Sequence, residues 1–331
     1  MNAPKLSRRG FVRLGSAALL ASPLLKFAPA AFANSPRPSS RKKSYPGTKK
    51  FVKLPDGTRA PALGIGGWQL ASGRYPMEES EEAVRTGLSL GMRLIDTAEI
   101  YQNGNSEQAF GRLIAGQREQ VFVVTKVDAP NATSEQSIRN SCERSLRYLG
   151  TDYIDLYLLH WPVADLPPVV NAFEALKAEG LIRNWGVSNF DVRLMEELYA
   201  IPGGKNCAAN QVRYSLVDRS AEAVGLVDWA ARKRLPLMAY SPLGSGGGVK
   251  TLLQTPAVIE VAAKHGVSAS TVAIAWTMRS GSVISIPATG RAKYMSENAR
   301  AAELTLDKAD LAKLDGAFPA RHIPSRGFPA R

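Results

Sequence analysis

The hydrophobic pattern of the chain is a repeated unit in which a short apolar run is followed by a polar loop and an amphipathic stretch. The apolar runs are nearly continuous rather than alternating, which is typical of parallel strands covered on both faces. Eight such units are present, and their strands are predicted at residues 62–66, 93–98, 121–127, 153–160, 182–189, 207–215, 235–243 and 283–290. Helices are predicted near residues 78–90, 106–115 and 168–179.

Eight strand–helix units within roughly 250 residues predict an α/β fold of the (β/α)8 TIM-barrel class. An open doubly wound sheet would instead place a Gly-x-Gly-x-x-Gly motif after its first strand. The run from Gly64 to Gln69 fails that motif at its sixth position. We therefore expect the closed barrel, preceded by an N-terminal β-hairpin within residues 51–63 with its turn at Asp56-Gly57.

The helix after the third barrel strand carries two further local signals. Thr133 and Gln136 match the spacing of a capping box, so they are expected to begin the helix. Its apolar stripe comprises Ile138, Cys142, Leu146 and Leu149. Cys142 is therefore expected to be a small buried hydrophobic residue, and two cysteines are too few for a disulfide framework.

The N-terminus has the features of an export signal. The run Ser7-Arg8-Arg9-Gly10-Phe11-Val12 precedes an Ala/Leu-rich stretch that ends in Ala31-Phe32-Ala33. A basic head, an apolar middle and a small-x-small cleavage site are typical of a secretory signal, and the paired arginines indicate the twin-arginine type. Prolines and a lysine interrupt the apolar stretch, so stable membrane insertion is not expected.

These features predict a signal peptide at residues 1–33, a linker at 34–50 and a single domain at 51–331. The twin-arginine translocation machinery is the expected export partner, because it carries folded proteins. The mature chain is expected in the periplasm, with a cytoplasmic pool before export, and as a monomer.

The charge of the chain changes this picture little. The formal net charge is +13, and removal of the five basic residues of the predicted signal peptide leaves about +8. The basic residues at 41–43 and 49–50 are expected to lie in a solvated linker. No basic stripe interleaved with aromatic residues follows, so no nucleic-acid partner is expected, although a modest attraction for anionic substrates remains. The three histidines lack ligand spacing, so no metal site is expected.

Chemistry-bearing residues follow three consecutive predicted strands. Asp96 and Tyr101 follow the second barrel strand, Lys126 ends the third and His160 ends the fourth. Each alone has an ordinary explanation as a turn former, an exposed charge or a packed histidine. Together, at the end of a barrel where reactive residues lie, they predict proton delivery to a carbonyl oxygen.

The expected roles follow from the charges of the four side chains. The ammonium of Lys126 is expected to pull the pKa of the Tyr101 phenol down toward the working range. Asp96 would keep Lys126 charged and oriented. A neutral His160 would donate a hydrogen bond to the substrate oxygen.

Seven segments resemble, in order, the signatures of the aldo-keto reductase family: "LIDTAEIY", "VTKV", "LLHWP", "GVSNF", "NQVRYS", "AYSPLG" and "IPATGRAKYMSEN". The resemblance covers residues 51–318, and "IPGGKNCAANQV" is most similar to the bacterial branch of methylglyoxal and diketogluconate reductases. It implies a barrel that binds NADP(H) in an extended form, with a catalytic tetrad of Asp96, Tyr101, Lys126 and His160.

The resemblance also implies cofactor-binding residues. Ser188, Asn189 and Gln211 would bind the nicotinamide carboxamide, and Tyr240 would stack on the ring. Ser241 and Leu243 would meet the pyrophosphate. The glycine-rich run at residues 244–248 is either a mobile strap over the phosphates or a plain connector.

One departure from the family pattern concerns the 2′-phosphate of the cofactor. The family often has a lysine-containing "IPKS" and an arginine where this chain has Ala288 and Tyr294, whereas Thr289, Glu297 and Asn298 are kept. Arg291 and Lys293 lie close enough in sequence to supply substitute charge. NADPH is therefore the expected cofactor, with NADH as the alternative.

The resemblance implies reduction of small aldehydes, 2-oxoaldehydes or ketones, with Tyr101 as proton donor. Trp68 and Trp161 match aromatic walls of the substrate pocket, although Trp161 also fits rim packing. The short connection after His160 indicates an open pocket and broad specificity. The alternatives are a cofactor-binding redox sensor or partner subunit with little turnover, and net oxidation of an alcohol outside the cytoplasm.

Overall fold

The computed structural model describes residues 43–321. The predicted signal peptide and residues 34–42 of the predicted linker lie outside the described residues, so these boundaries stay predictions. Between residues 43 and 321, no helix is both long and apolar enough to cross a bilayer. Over the same range, no cluster of three or more His, Cys, Asp or Glu side chains is arranged to hold a metal ion.

The predicted hairpin is confirmed. Strands β1 (Phe51–Lys53) and β2 (Arg59–Pro61) pair antiparallel. The amide of Thr58 donates to Oδ1 of Asp56 over 2.8 Å, which fixes the turn between the two strands.

Eight parallel strands form the predicted barrel, which is also confirmed. They are β3 (Gly64–Gly66), β4 (Leu94–Asp96), β5 (Phe122–Val127), β6 (Ile154–Leu159), β7 (Ile182–Ser188), β8 (Asn210–Arg213), β9 (Leu237–Tyr240) and β10 (Val283–Ile286). Each strand pairs with its sequence neighbour from β3 to β10. A parallel bridge between Leu63 and Ser285 joins the first strand to the last and closes the ring.

Two glycines make this closure and the site geometry sterically allowed. A Cβ atom on Gly66 would lie 2.8 Å from the carbonyl oxygen of Ile286, and one on Gly67 would lie 2.8 Å from that of Asp96. The Gly67 amide donates to the Asp96 carbonyl over 2.7 Å. The glycine-rich run after the hairpin therefore allows close backbone packing.

Twelve helices are described between and after these strands. They are α1 (Met77–Ser89), α2 (Asn105–Ile114), α3 (Glu135–Leu149), α4 (Pro167–Ala178), α5 (Val192–Ala200), α6 (Ser220–Ala223), α7 (Leu226–Lys233), α8 (Gly247–Gln254), α9 (Pro256–His265), α10 (Ala269–Thr277), α11 (Ala292–Ala299) and α12 (Lys308–Ala317). The apolar stripe of α3 is buried, including Cys142, as predicted.

The predicted capping box is wrong by one residue. Ser134, in an extended conformation, is the N-cap of α3: its hydroxyl accepts from the Ser137 amide over 3.1 Å, and the Ser137 hydroxyl accepts from the Ser134 amide over 3.0 Å. The Gln136 side chain instead bonds Asn140 over 2.9 Å. A short serine side chain reaches back to the cap as well as a glutamine does, so the spacing alone could not decide the register.

The late barrel strands are shorter than predicted. Strands β9 and β10 end before Pro242 and Pro287, which have no N–H for the strand ladder.

The basic residues next to the hairpin are not a solvated linker throughout. Lys43 is only partly exposed and pairs with Asp155 at the start of β6. Lys50 donates to the Leu304 carbonyl over 2.7 Å. The end of the predicted linker therefore packs on the barrel, because buried carboxylate and carbonyl acceptors are available there.

Candidate active site

The predicted tetrad lies at one mouth of the barrel. Asp96 is the last residue of β4, Lys126 lies one residue before the end of β5, and His160 follows β6 directly. Tyr101 begins a short 3-10 turn after β4, and its amide donates to the Ala98 carbonyl over 3.0 Å. Parallel pairing of β4, β5 and β6 brings these strand ends together.

Lys126 is the centre of the cluster and is completely buried. Its Nζ donates to Asp96 Oδ1 over 2.8 Å and to the Thr97 carbonyl over 2.6 Å, and lies 3.5 Å from Tyr101 Oη. Burial favours the neutral amine, but Asp96 and then Tyr101 outweigh it and raise the pKa of Lys126. The ammonium is therefore charged and aimed at the phenol.

The expected lowering of the Tyr101 pKa is wrong in its net direction. Burial of the phenol raises its pKa, and the charge of Lys126 only partly offsets that rise. The Nζ–Oη distance is long, and Asp96 next to Lys126 opposes its effect. The phenol is thus protonated near neutral pH, in the form that can donate a proton.

His160 is neutral, as expected. Burial, followed by the charge of Lys126, lowers the pKa of its imidazole to about 3. Its ring packs edge-on against Tyr101 with 5.6 Å between centroids. Its Nδ1 atom is buried and has no hydrogen-bond partner among residues 43–321.

Two tryptophans flank these rings. Trp68 meets the Tyr101 ring edge-on at 5.1 Å, and Trp161 stacks on His160 at 6.1 Å. Trp68 is 61% exposed and Trp161 41% exposed, so both present apolar surface to an open mouth. Their role as walls of a substrate pocket stays a prediction.

The predicted carboxamide-binding residues lie beside the tetrad, with Ser188 ending β7, Asn189 directly after it and Gln211 on β8. Asn189 donates from Nδ2 to the Ser188 hydroxyl over 3.0 Å and to the His160 carbonyl over 3.3 Å, and accepts from the Tyr240 hydroxyl over 3.0 Å. The Ser188 hydroxyl donates to the Gln211 carbonyl over 2.9 Å. These contacts hold Tyr240 and the amide groups in fixed positions.

Gln211 makes a contact that the sequence did not indicate. Its Nε2 donates to Asp96 Oδ2 over 2.7 Å, so the carboxylate is held from both β5 and β8. Its Oε1 atom makes no hydrogen bond within residues 43–321 and is available to a ligand amide.

The residues after β9 are held by an arginine that sequence reasoning missed. The Arg213 guanidinium lies 5.3 Å from the centroid of the Tyr240 ring and donates to the Ser245 hydroxyl over 2.8 Å. Ser241 has a positive φ of 50°, Leu243 is half-buried, and α8 begins at Gly247. The glycine-rich run therefore leads into a helix and is tied to β8 through Ser245.

The predicted phosphate-binding residues surround the start of α11. The Arg291 amide donates to Thr289 Oγ1 over 3.3 Å, and its guanidinium lies 5.3 Å from the Tyr75 ring centroid. Arg291 and Lys293 are exposed and make no ion pair within the described residues. Glu297 accepts weakly from Ser270 over 3.5 Å, and Asn298 is buried. The role of these two residues in binding a phosphate stays a prediction.

The fold and the site together define a class of protein. The model of the aldo/keto reductase family matches residues 62–318. The chain therefore belongs to the aldo/keto reductase family of NAD(P)H-dependent oxidoreductases.

Two bacterial methylglyoxal reductases are similar to this chain over most of their length. The methylglyoxal reductase YeaE of Escherichia coli strain K12 is 42% identical over 274 residues, which cover 82% of this chain and 96% of the relative. The methylglyoxal reductase DkgB of Escherichia coli O157:H7 is 34% identical over 257 residues, covering 76% and 90%.

A solved structure is similar over nearly its whole length. The aldo-keto reductase of Klebsiella pneumoniae in complex with NADPH is 37% identical and superposes with a TM-score of 0.79. The match covers 84% of this chain and 98% of that one.

Proposed function

We propose that the protein reduces small aldehydes, 2-oxoaldehydes or ketones to alcohols with NADPH, and that Tyr101 donates the proton. The observation that carries the proposal is the position of Lys126 Nζ, 2.8 Å from Asp96 and 3.5 Å from the Tyr101 hydroxyl at an open barrel mouth. A buried ion pair of this kind adds little to stability, so its presence beside a phenol favours a chemical role.

The residues beside the tetrad fit a nicotinamide dinucleotide. Gln211 keeps a free carbonyl oxygen next to Asn189 and Ser188, which suits a carboxamide group. Arg291 and Lys293 are cations without a carboxylate partner among residues 43–321, which suits a phosphate. The similar Klebsiella structure contains NADPH, which further supports this cofactor over NADH.

The tetrad residues deliver the proton that the reduction of a carbonyl requires. NADPH, when held by the residues beside the tetrad, would provide the hydride that the carbonyl carbon accepts. Tyr101 donates its hydroxyl proton to the carbonyl oxygen, and Lys126 stabilises the phenolate that remains. Asp96 keeps the ammonium charged and fixed through the 2.8 Å contact. His160, neutral, orients the carbonyl oxygen, while Trp68 and Trp161 cover its apolar substituents.

The test is NADPH consumption, followed by its absorbance, with the purified chain and methylglyoxal. The names of the two Escherichia coli relatives make methylglyoxal the first substrate to try. We expect steady turnover and an alcohol product. Negligible turnover on every carbonyl tried, together with a stable complex with a protein partner, would favour the sensor or partner-subunit alternative.

Export is proposed from the sequence of the first 33 residues alone. The twin-arginine route carries folded proteins, so the cofactor can travel bound at the mouth of the barrel. Fractionation of cells that express the intact chain or the Arg8→Lys/Arg9→Lys variant tests this proposal. We expect periplasmic protein only with the intact signal, and equal distribution of the two proteins would contradict export by this route.

A further inference from the structure

Asp128 is a carboxylate at the barrel mouth that has no assigned role. It follows β5 two residues after Lys126, so the alternation of an extended strand directs both side chains to the same side. Its Oδ1 atom lies 3.9 Å from Nδ1 of His160, which is too long for a hydrogen bond. The carboxylate is 19% exposed, so it borders both the imidazole and the open mouth.

The position of Asp128 is fixed by a second acid. Glu99 Oε1 accepts from the Asp128 amide over 2.7 Å and from Asn131 Nδ2 over 3.0 Å. The other oxygen of Glu99 pairs with Arg144. Glu99 thus orders the backbone of Asp128, while its own charge is offset by an arginine.

Asp128 is the acid without a cation on this side of the mouth. Asp96 is paired with Lys126, and Glu99 with Arg144. Within residues 43–321, the only basic side chain with a nitrogen within 4 Å of the Asp128 carboxylate is His160, and that imidazole is neutral. Burial raises the pKa of Asp128 and the charge of Glu99 adds to the rise, with the Ala129 amide opposing it.

The Nδ1 atom of His160, beside Asp128, is buried without a hydrogen-bond partner among residues 43–321. It lies on a side chain that is 10% exposed, and it faces Asp128. Because Nδ1 is buried, a substrate oxygen would meet His160 at Nε2, and the charge of Asp128 would act on the substrate from the far side of the imidazole ring.

We propose that Asp128 is a specificity-determining residue that selects carbonyl substrates by charge. It admits neutral and cationic aldehydes and ketones, and disfavours those that carry a carboxylate or phosphate. The inference rests on the proposed reductase function, and names the substrate class of the same site. The local charge opposes the net positive charge of the chain as a whole.

The test uses three para-substituted benzaldehydes of similar size: 4-carboxybenzaldehyde, its methyl ester and 4-formyl-N,N,N-trimethylanilinium. The readout is the ratio of kcat/KM for the anion or cation to that for the neutral ester, at pH 8 in low salt. The ratio is compared between the natural chain and Asp128→Asn. Intrinsic reactivity is the same for every variant, so it cancels in this comparison.

Asp128→Asn should raise the anion-to-ester ratio roughly tenfold and lower the cation-to-ester ratio by a similar factor, as expected for one charge several ångströms away. Asp152→Asn is the matched control, because this exposed aspartate precedes β6 at the opposite end of the barrel. It should leave both ratios unchanged. In the natural chain, added salt should reduce the discrimination.

Equal ratios in the natural chain, Asp128→Asn and Asp152→Asn would overturn the proposal. If Asp128→Asn does not fold, the same ratios are measured for Asp128→Ser, and the salt dependence of the ratios is measured for the natural chain. Ratios that change neither with Asp128→Ser nor with salt would overturn the proposal. If the natural chain fails to turn over even the neutral ester, the proposed function has failed. The charge proposal is then read from the Kd of anion and ester by tryptophan quenching, and equal Kd values would overturn it.

Discussion

Gln211 donates from Nε2 to Oδ2 of Asp96 over 2.7 Å, which joins β8 to β4 across the mouth of the barrel. The other oxygen of the same carboxylate accepts from Lys126 over 2.8 Å. Both oxygens of a buried acid are therefore used, one by a cation and one by an amide. The position of Lys126, and with it the environment of Tyr101, depends on this arrangement.

Asp96→Asn should be strongly destabilising, because it leaves the ammonium of Lys126 buried without its counter-charge. The expected loss is about 3–5 kcal/mol in the free energy of unfolding. Urea denaturation measures it, with the exposed Asp165→Asn as the control variant. A loss no larger than that of the control would show that the negative charge of Asp96 is not needed to keep Lys126 buried.

The pH dependence of the two reaction directions should differ. Because burial raises the pKa of Tyr101, the phenol stays protonated as pH rises through neutrality. Carbonyl reduction, which needs the phenol, should therefore stay flat from about pH 6 to about pH 9, whereas alcohol oxidation, which needs the phenolate, should keep rising. Initial rates in both directions test this. A reduction rate that falls with a midpoint below about pH 8 would contradict the raised pKa.

Because of Glu107 on α2, the free energy of unfolding should fall as pH rises. It is fully buried, accepts from Thr125 Oγ1 over 2.6 Å, and burial raises its pKa to about 7. From about pH 4.5 to pH 7 the folded state keeps a proton that the unfolded carboxyl releases, so stability is lost as pH rises through this window.

Glu107→Gln keeps the acceptor for Thr125 but cannot ionise. Relative to the natural chain, it should add on the order of 3 kcal/mol at pH 8 and little at pH 5. Denaturation at the two pH values measures the difference, and Glu79→Gln, at an exposed position on α1, is the control. An equal effect of Glu107→Gln at both pH values would rule out a titrating buried acid.

Arg291 should set the preference for NADPH over NADH. Arg291→Ala removes a cation that has no carboxylate partner among residues 43–321, so the ratio of kcat/KM for NADPH to that for NADH should fall about tenfold or more. Lys293→Ala is the paired variant and should have a smaller effect, because a lysine makes no bidentate contact. Unchanged ratios in both variants would place the 2′-phosphate elsewhere.

The barrel and the four strand-end residues could be predicted because both depend on local pattern. Continuous apolar runs indicate covered parallel strands, and residues that end such strands meet at one edge. Cys142 was predictable for the same reason, since helical spacing alone buried it.

The features that were missed depend on distances across the fold. The register of the α3 cap depended on which of two polar residues reached the amides, and the sign of the Tyr101 shift depended on how deeply the ring is buried. The Gln211–Asp96 contact joins residues 115 positions apart. Asp128 did leave a signal, because it lies two residues after Lys126 in an extended segment.

The most direct test of the account is a single turnover of the NADPH complex with methylglyoxal, for the natural chain and Tyr101→Phe. The variant retains the aromatic ring and its contacts with Trp68 and His160 but has no proton to donate. Cofactor oxidation should be slower by about 10²–10⁴-fold, with the Kd for NADPH nearly unchanged. Equal rates for the two proteins would show that Tyr101 is not the acid.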